Sequence, residues 1–352
     1  MAHAPFFSIV IPAYNCENYI NAALDSINSQ SCVDWEILVA ADTTSSDRTV
    51  FACTSQTIVP NNKIKVIPVG HIGQYLARRL LVESSRGKIV VSLDADDELI
   101  DRDALQKIKD VVQREACDMV LFNATKSKEQ VERIVDYSFA HADDAGKVDA
   151  GRIKKHMLLS YELNNICLKA FNRSKASFAF TDRILHNTED RLQCIELIQN
   201  IDSCYLIDEP FYYYRPNQSS VTQSSYKYSY FEDALYVEAK ANELLLPLFG
   251  GESSLEQKRR RFVSSTVAML LQLLFESSND KSLRLKMYES IRAYGLKLEV
   301  IPERAGRIRP DYAIAYTQFI RSRFRILDGF LSIRAKIRSH VSADEQNDGG
   351  QG

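Results

Sequence analysis

Three carboxylates within four residues, Asp94-Ala95-Asp96-Asp97, follow directly on the apolar run Ile89-Val90-Val91-Ser92-Leu93. Such a run reads as a short buried strand, and strands of an open α/β sheet present their C-terminal ends to the ligand crevice. Carboxylates crowded at that edge repel one another unless a cation lies among them. A hard divalent ion with oxygen ligands, bridging to a substrate diphosphate, resolves the repulsion. The alternative is a helix start, with Asp97 as cap or first-turn acid of a helix through Ala104 and Ile108. A second acidic pair, Glu189-Asp190, precedes Arg191 to Ile198 and also reads as the first turn of a helix.

The elements that position these acids alternate along the first 125 residues. Strands are predicted at Ser8 to Ile11, Glu36 to Ala40, Lys63 to Val69, Ile89 to Leu93 and Asp118 to Phe122. Between them, Glu17 to Ser29 has helical periodicity through Ile20, Leu24 and Ile27, a short helix runs through Val50, and Gln74 to Ser84 is helical. Strands separated by helices imply βαβ crossovers and a Rossmann-like, mostly parallel sheet covered on both faces. Asn15, Asp42 and the Asp94 cluster are then expected at one edge.

The alternation stops after Lys126, and residues 127–150 read as a polar, acidic excursion. Residues 152–223 are mixed, with a helix near 188–200 and the aromatic run Phe211-Tyr212-Tyr213-Tyr214-Arg215. From Ser224 the pattern is helical, at 229–247, 255–277, 282–294 and 311–338, and the last dozen residues read as disordered. The expected division is 1–125, 126–223, a helical region 224–340 and a tail 341–352.

Of 352 residues, 45% are hydrophobic and 26% charged, with a net charge of -2, so nothing points to nucleic acid. Nine basic residues stand against two acids between Arg304 and Arg338. The seven cysteines form no CxxC pair and suit neither a zinc site nor a disulfide framework; reduced core thiols and a cytoplasmic setting are expected. The N-terminus lacks a basic leader, and no apolar stretch approaches the roughly 18–20 residues that span a bilayer.

The segment from Phe7 to Asp97 resembles the nucleotide-binding half of an inverting family 2 glycosyltransferase with a GT-A fold. Ile9-Val10-Ile11-Pro12-Ala13-Tyr14-Asn15 is similar to the family's opening strand and Pro-x-Tyr-Asn turn, and Glu36 to Asp42 to its second strand. His71 to Arg79 is similar to a loop usually written Asn-x-Gly-x-x-x-Ala-Arg-Asn, and Leu93 to Asp97 to its metal motif. Further on, Thr188-Glu189-Asp190 resembles the Glu-Asp pair, and Tyr212-Tyr213-Tyr214-Arg215 the Tyr-x-Tyr-Arg closure.

The resemblance implies a sugar carried from a nucleotide donor, most simply a UDP-sugar, to a hydroxyl of a saccharide or lipid-linked acceptor in polysaccharide or cell-envelope synthesis. It assigns nucleotide contacts to Pro12, Ala13, Tyr14, Asn15, Glu17, Asp42, Arg78, Asp94 and Ala95. Asp42 would hydrogen-bond the uracil, or else be a mere turn residue. Arg78 would approach the diphosphate or ribose, or be an ordinary solvated helix residue. Asp96 would ligate Mn²⁺ or Mg²⁺, with Asp94 on the metal or the ribose. Asp190 would be the base that takes the acceptor's proton, and Glu189 its neighbour, raising a pKa in the pair. Lys169 resembles part of a Lys-Leu-Tyr-Arg segment, or makes a structural salt bridge.

This chain departs from the family at three places. Ala41-Asp42-Thr43-Thr44 replaces Asp-Asp-Gly-Ser, without the glycine, and His71 and Arg79 stand where Asn is usual. Arg321, Arg323 and Arg325, with Phe319, Phe324, Phe330 and Leu331, make either a peripheral membrane surface or a packed helix with a charged face. Two other functions compete. A nucleotidyltransferase should carry a glycine-rich basic loop where Ala13-Tyr14-Asn15-Cys16-Glu17 stands; a degenerate scaffold should bind a nucleotide sugar without turnover.

Overall fold

The structure, a computed structural model, describes residues 4–140, 146–216, 227–277, 281–299, 316–319 and 321. The chain divides into two compact units, Met1–Gln223 with Ala241–Leu248, and Ser224–Lys240 with Phe249–Gly352.

In the first unit β1 (Phe7–Ala13) and β2 (Trp35–Asp42) are buried along their whole length, because sheet neighbours and helices cover them on every side. β1 pairs in parallel with β2 and with β4 (Ile89–Ser92), and β2 pairs in parallel with β3 (Ile64–Val69). The crossovers are α1 (Ile20–Asn28), α2 (Thr49–Thr54) and α3 (Gly73–Ser84). α1 buries Ile20, Ala23, Leu24 and Ile27, one apolar stripe at helical spacing. Where α3 returns to β4 the chain presses against β1: a Cβ on Gly87 would lie 2.5 Å from the Ser8 backbone nitrogen. Only glycine permits that approach.

The nine-stranded sheet runs β3-β2-β1-β4-β8-β6-β9-β5, with β7 on β9. Its members beyond β4 are β5 (Glu98–Leu99), β6 (Met119–Thr125), β7 (Lys147–Asp149), β8 (Lys169–Asn172) and β9 (Ser203–Tyr213). β8 is antiparallel to both β4 and β6, whereas β6 and β9 are parallel. The helices of this half are α4 (Ala104–Glu115), α5 (Ala150–Leu159) and α6 (Glu189–Asn200).

Two expectations are corrected here. Asp97 caps no helix: Glu98–Leu99 pairs with Tyr212–Tyr213, and α4 begins only at Ala104. The excursion after Lys126 is more than a surface loop: Tyr137 and Phe139 are buried, the Tyr137 hydroxyl donates to the Phe122 carbonyl at 2.7 Å, and β7 joins the sheet. All seven cysteines are buried free thiols.

The second unit is helical, with the main part of α7 (Tyr228–Leu245), α8 (Ser253–Ser277) and α9 (Lys281–Ala293). Phe231, Leu235, Val263, Val267, Met287 and Phe319 share its core. A buried Arg259–Glu238 pair at 2.6 Å ties α8 to α7. Among the described residues no helix is long and apolar enough to cross a membrane. Apart from Tyr316–Phe319 and Arg321, the basic segment 304–338 and the expected membrane-facing helix lie outside the described residues, as does the tail 341–352.

Candidate active site

β1, β2 and β4 end at one edge, which brings Tyr14, Asn15, Asp42 and Asp94–Asp97 together as the alternation predicts. The three acids after β4 then take different directions. Asp97 turns inward: its Oδ2 accepts from the Tyr212 hydroxyl at 2.6 Å and its Oδ1 from the Arg215 backbone N–H at 2.8 Å. Burial and the neighbouring carboxylates push its pKa up to about 7. Asp96 stays half-exposed, and the Arg215 side chain donates to its carbonyl oxygen at 2.8 Å. Asp94 gives Oδ1 to the Arg78 guanidinium at 2.8 Å.

Arg78 is 1% exposed, so it is no solvated helix residue. From α3 it spans two elements, holding Asp94 after β4 and Asp190 in the first turn of α6, with Gln193 Oε1 a further acceptor at 3.2 Å. Its Nε finds no hydrogen-bond partner among the described residues. The adjacent carboxylates hold its charge firmly. Asp190 retains 26% of its side-chain surface open. Burial raises its pKa, and the Arg78 charge works against that rise. Burial and Asp190 push Glu189 up to about 7. Both acids are therefore first-turn helix acids that also belong to one ionic cluster with Arg78.

The start of α6 is held by its surroundings. Thr188 has φ +63°, which costs a β-branched residue about 1–3 kcal/mol. Buried Arg191 offsets that cost by donating to the Met157 and Ser160 carbonyls and to Asn164 Oδ1. Lys169 makes no salt bridge among the described residues; buried in β8, it donates to the carbonyls of Leu163 and Asn165 at 2.8 and 2.7 Å.

The loops after β1 and β2 interlock. Asn15, with φ +48°, accepts the Ser46 N–H at 2.8 Å, and Glu17 accepts the Arg48 N–H at 2.7 Å. In return the Glu17 N–H donates to Asp47 at 3.0 Å and the Cys16 N–H to Thr49 at 2.7 Å. Asp42 is buried; its Oδ1 accepts from the Thr44 N–H and hydroxyl at 2.8 and 2.7 Å, and its Oδ2 lies 3.2 Å from His71 Nδ1. Those hydrogen bonds outweigh burial and hold its carboxyl below the usual range. The turn role of Asp42 is thus real. Pro12, Ala13 and Ala95 are buried, leaving the Tyr14 ring exposed.

The acids at this edge do not make a complete cation site on their own. Among the described residues no three His, Cys, Asp or Glu side chains surround a common point, and Asp97 is committed to Tyr212 and Arg215. A cation held by one or two carboxylates that completes its shell with diphosphate oxygens and water matches this donor set. Sequence reasoning missed Gln193, which accepts from Arg78 and donates to the Tyr75 carbonyl. Its signal was position, one turn beyond Asp190 on the same helix face.

Comparison with known proteins identifies the family and the fold. Residues 8–185 match the family described as Glycosyl transferase family 2. The poly(ribitol-phosphate) β-N-acetylglucosaminyltransferase TarS of Staphylococcus aureus is 24% identical over 351 residues, 93% of this chain and 58% of that protein. The minor teichoic acid biosynthesis protein GgaA of Bacillus subtilis is 37% identical over 109 residues, 30% of this chain and 24% of that one. Chondroitin synthase of Pasteurella multocida matches over a tenth of its own length, at 34% identity over 95 residues, 27% of this chain. The crystal structure of S. aureus TarS 1-349 in complex with UDP-GlcNAc superposes with a TM-score of 0.61 at 17% identity, covering 95% of this chain and 92% of that one. A mannosyltransferase from Pyrobaculum calidifontis in complex with GDP-Man and Mn²⁺ gives 0.54 at 14% identity, covering 91% and 88%. At those identities the structures establish the shared fold.

Proposed function

Since the chain belongs to glycosyl transferase family 2 and is a glycosyltransferase, we propose that it moves a sugar from a UDP-sugar to a hydroxyl of a saccharide or lipid-linked acceptor during cell-envelope polysaccharide synthesis, with inversion. The observation that carries this reading is the single buried guanidinium of Arg78 joining Asp94 at the sheet edge to Asp190 on α6. Inversion needs charge neutralised at the leaving diphosphate and a proton acceptor on the opposite face of the sugar. One residue here fixes groups suited to both tasks.

In this reading Asp96 would hold Mn²⁺ or Mg²⁺, with Asp94, oriented by Arg78, beside it. The cation, when bound, neutralises charge on the diphosphate. Asp190 takes the acceptor hydroxyl's proton through its exposed face. Glu189, beside it and pushed up to about 7, keeps the site's total negative charge low near neutrality. Residues 1–125 hold the donor and 126–223 the acceptor. The similarity to TarS, a poly(ribitol-phosphate) β-N-acetylglucosaminyltransferase, and to GgaA, a minor teichoic acid biosynthesis protein, favours an envelope polymer as acceptor.

The test is donor hydrolysis across UDP-, GDP- and TDP-sugars, with manganese and with chelator, beside calorimetric binding of the nucleotides. Asp96→Asn should abolish metal-dependent turnover. Asp190→Asn should lower turnover about 10²–10⁴-fold and spare nucleotide binding. Binding without turnover in the unaltered protein, with every acceptor tried, favours a scaffold instead. Absence of both refutes the reading.

A further inference from the structure

We propose that His71, and not Asp42 directly, reads the donor's base, and that the base it selects is uracil; this rests on the function proposed above. In the expected arrangement the carboxylate after β2 accepts a hydrogen bond from the base. Here that carboxylate is buried, two of its hydrogen bonds come from Thr44, and its other oxygen faces His71 Nδ1. The imidazole facing that oxygen does meet solvent, 58% exposed. Tyr14, 50% exposed, stands beside it with ring centroids 5.4 Å apart and planes tilted by 58°.

The chemistry follows from the proton's position. An ionised Asp42 accepts and does not donate, so in the neutral imidazole the shared proton belongs to Nδ1 and Nε2 is left as an acceptor. An acceptor held at fixed orientation beside an aromatic face suits a flat base that carries a ring N–H. Uracil has one at N3 and guanine one at N1, whereas cytosine presents a bare nitrogen and is rejected; of the two, uracil is the base of the donor proposed above. The Tyr14 ring supplies a stacking face that any base can use, so selection falls to the imidazole. Thr44 completes the relay by keeping Asp42 in place, which gives the Thr44 that stands in the glycine-free loop a purpose.

Calorimetric titration of the full-length protein with UDP, N3-methyl-UDP, CDP and GDP, each with Mn²⁺, tests this. Native protein should bind UDP about tenfold more tightly than N3-methyl-UDP or CDP, the value of one hydrogen bond to a site that is otherwise left unpaired. His71→Ala should weaken UDP by a similar factor and bind UDP and N3-methyl-UDP alike. His71→Asn, which returns an acceptor oxygen, should recover part of the preference. Thermal melting of both variants should match the native protein, since the side chain is exposed. Full UDP preference in His71→Ala overturns the inference while leaving the proposed function standing, as does native preference for GDP. Failure of the native protein to bind any of the four nucleotides overturns both.

Discussion

Replacing Arg78 by methionine, close to it in length but uncharged, should damage stability and shift the pH dependence of turnover in separable ways. Breaking a fully buried ion pair costs about 3–5 kcal/mol. Asp94 and Asp190 keep 23% and 26% of their side-chain surface open, so water recovers part of that cost. A loss of about 2 kcal/mol is expected, or roughly 4–8 °C in Tm for a unit of this size. On the proposed mechanism the catalytic effect comes through Asp190. Its carboxyl accepts a proton only when ionised, burial already raises its pKa, and Arg78 opposes the rise. Removing a cation at contact raises a carboxylate by roughly 1–3 further units. The rising limb of the pH–rate profile for metal-dependent donor hydrolysis should move up by that amount. Below both midpoints turnover at a given pH should fall about ten- to a thousandfold, and it should recover toward higher pH. Arg78→Lys should keep the charge, lose the two-way fork and show a smaller shift. A folded Arg78→Met protein whose rate falls equally at every pH, or whose profile stays put, would refute the link between Arg78 and the base.

Other expectations concern the scaffold. Glu196 is buried, Oε1 accepts from the Tyr75 hydroxyl and the Phe180 N–H, and Oε2 has no partner among the described residues. Burial lifts its pKa from 4.5 to about 7, so the folded state binds its proton more tightly than the unfolded one. Stability is then lost as pH rises from about 4.5 through 7, by roughly 3 kcal/mol. Urea titrations at pH 5 and pH 8 should show Glu196→Gln losing less over that interval than the native protein. Gly87→Ala places a Cβ 2.5 Å from the backbone of β1 and should cost about 1–3 kcal/mol, read as a lowered melting temperature.

The parallel half of the sheet was legible because each strand is a run of apolar residues closed by a turn residue: Pro12 ends the predicted first strand and Asp42 the second. β8 was not. Its pattern Lys169-Ala170-Phe171-Asn172 is short and contains a lysine whose burial depends on the carbonyls of Leu163 and Asn165, partners that only the fold supplies. The acidic motif showed which residues gather but not which way each turns. Asp96 and Asp97 are chemically alike, and the inward turn of Asp97 is set by Tyr212 and Arg215, more than a hundred residues away. Arg78 has the spacing of any helical arginine, and its burial follows from α3 and α6 packing side by side. The resemblance assigns Asn15, Glu17 and Asp42 to the nucleotide; in the fold their side chains also bind neighbouring loop residues, a pairing with no local sequence signature.

The interlock between the loops after β1 and β2 has a consequence for remodelling this protein. Asn15 and Glu17 satisfy backbone groups of Ser46 and Arg48, while Asp47 and Thr49 satisfy those of Glu17 and Cys16. A loop transplanted alone from a relative arrives with donors and acceptors cut for a different counterpart. Residues 14–17 and 42–49 therefore behave as one cassette, to be exchanged together or left alone.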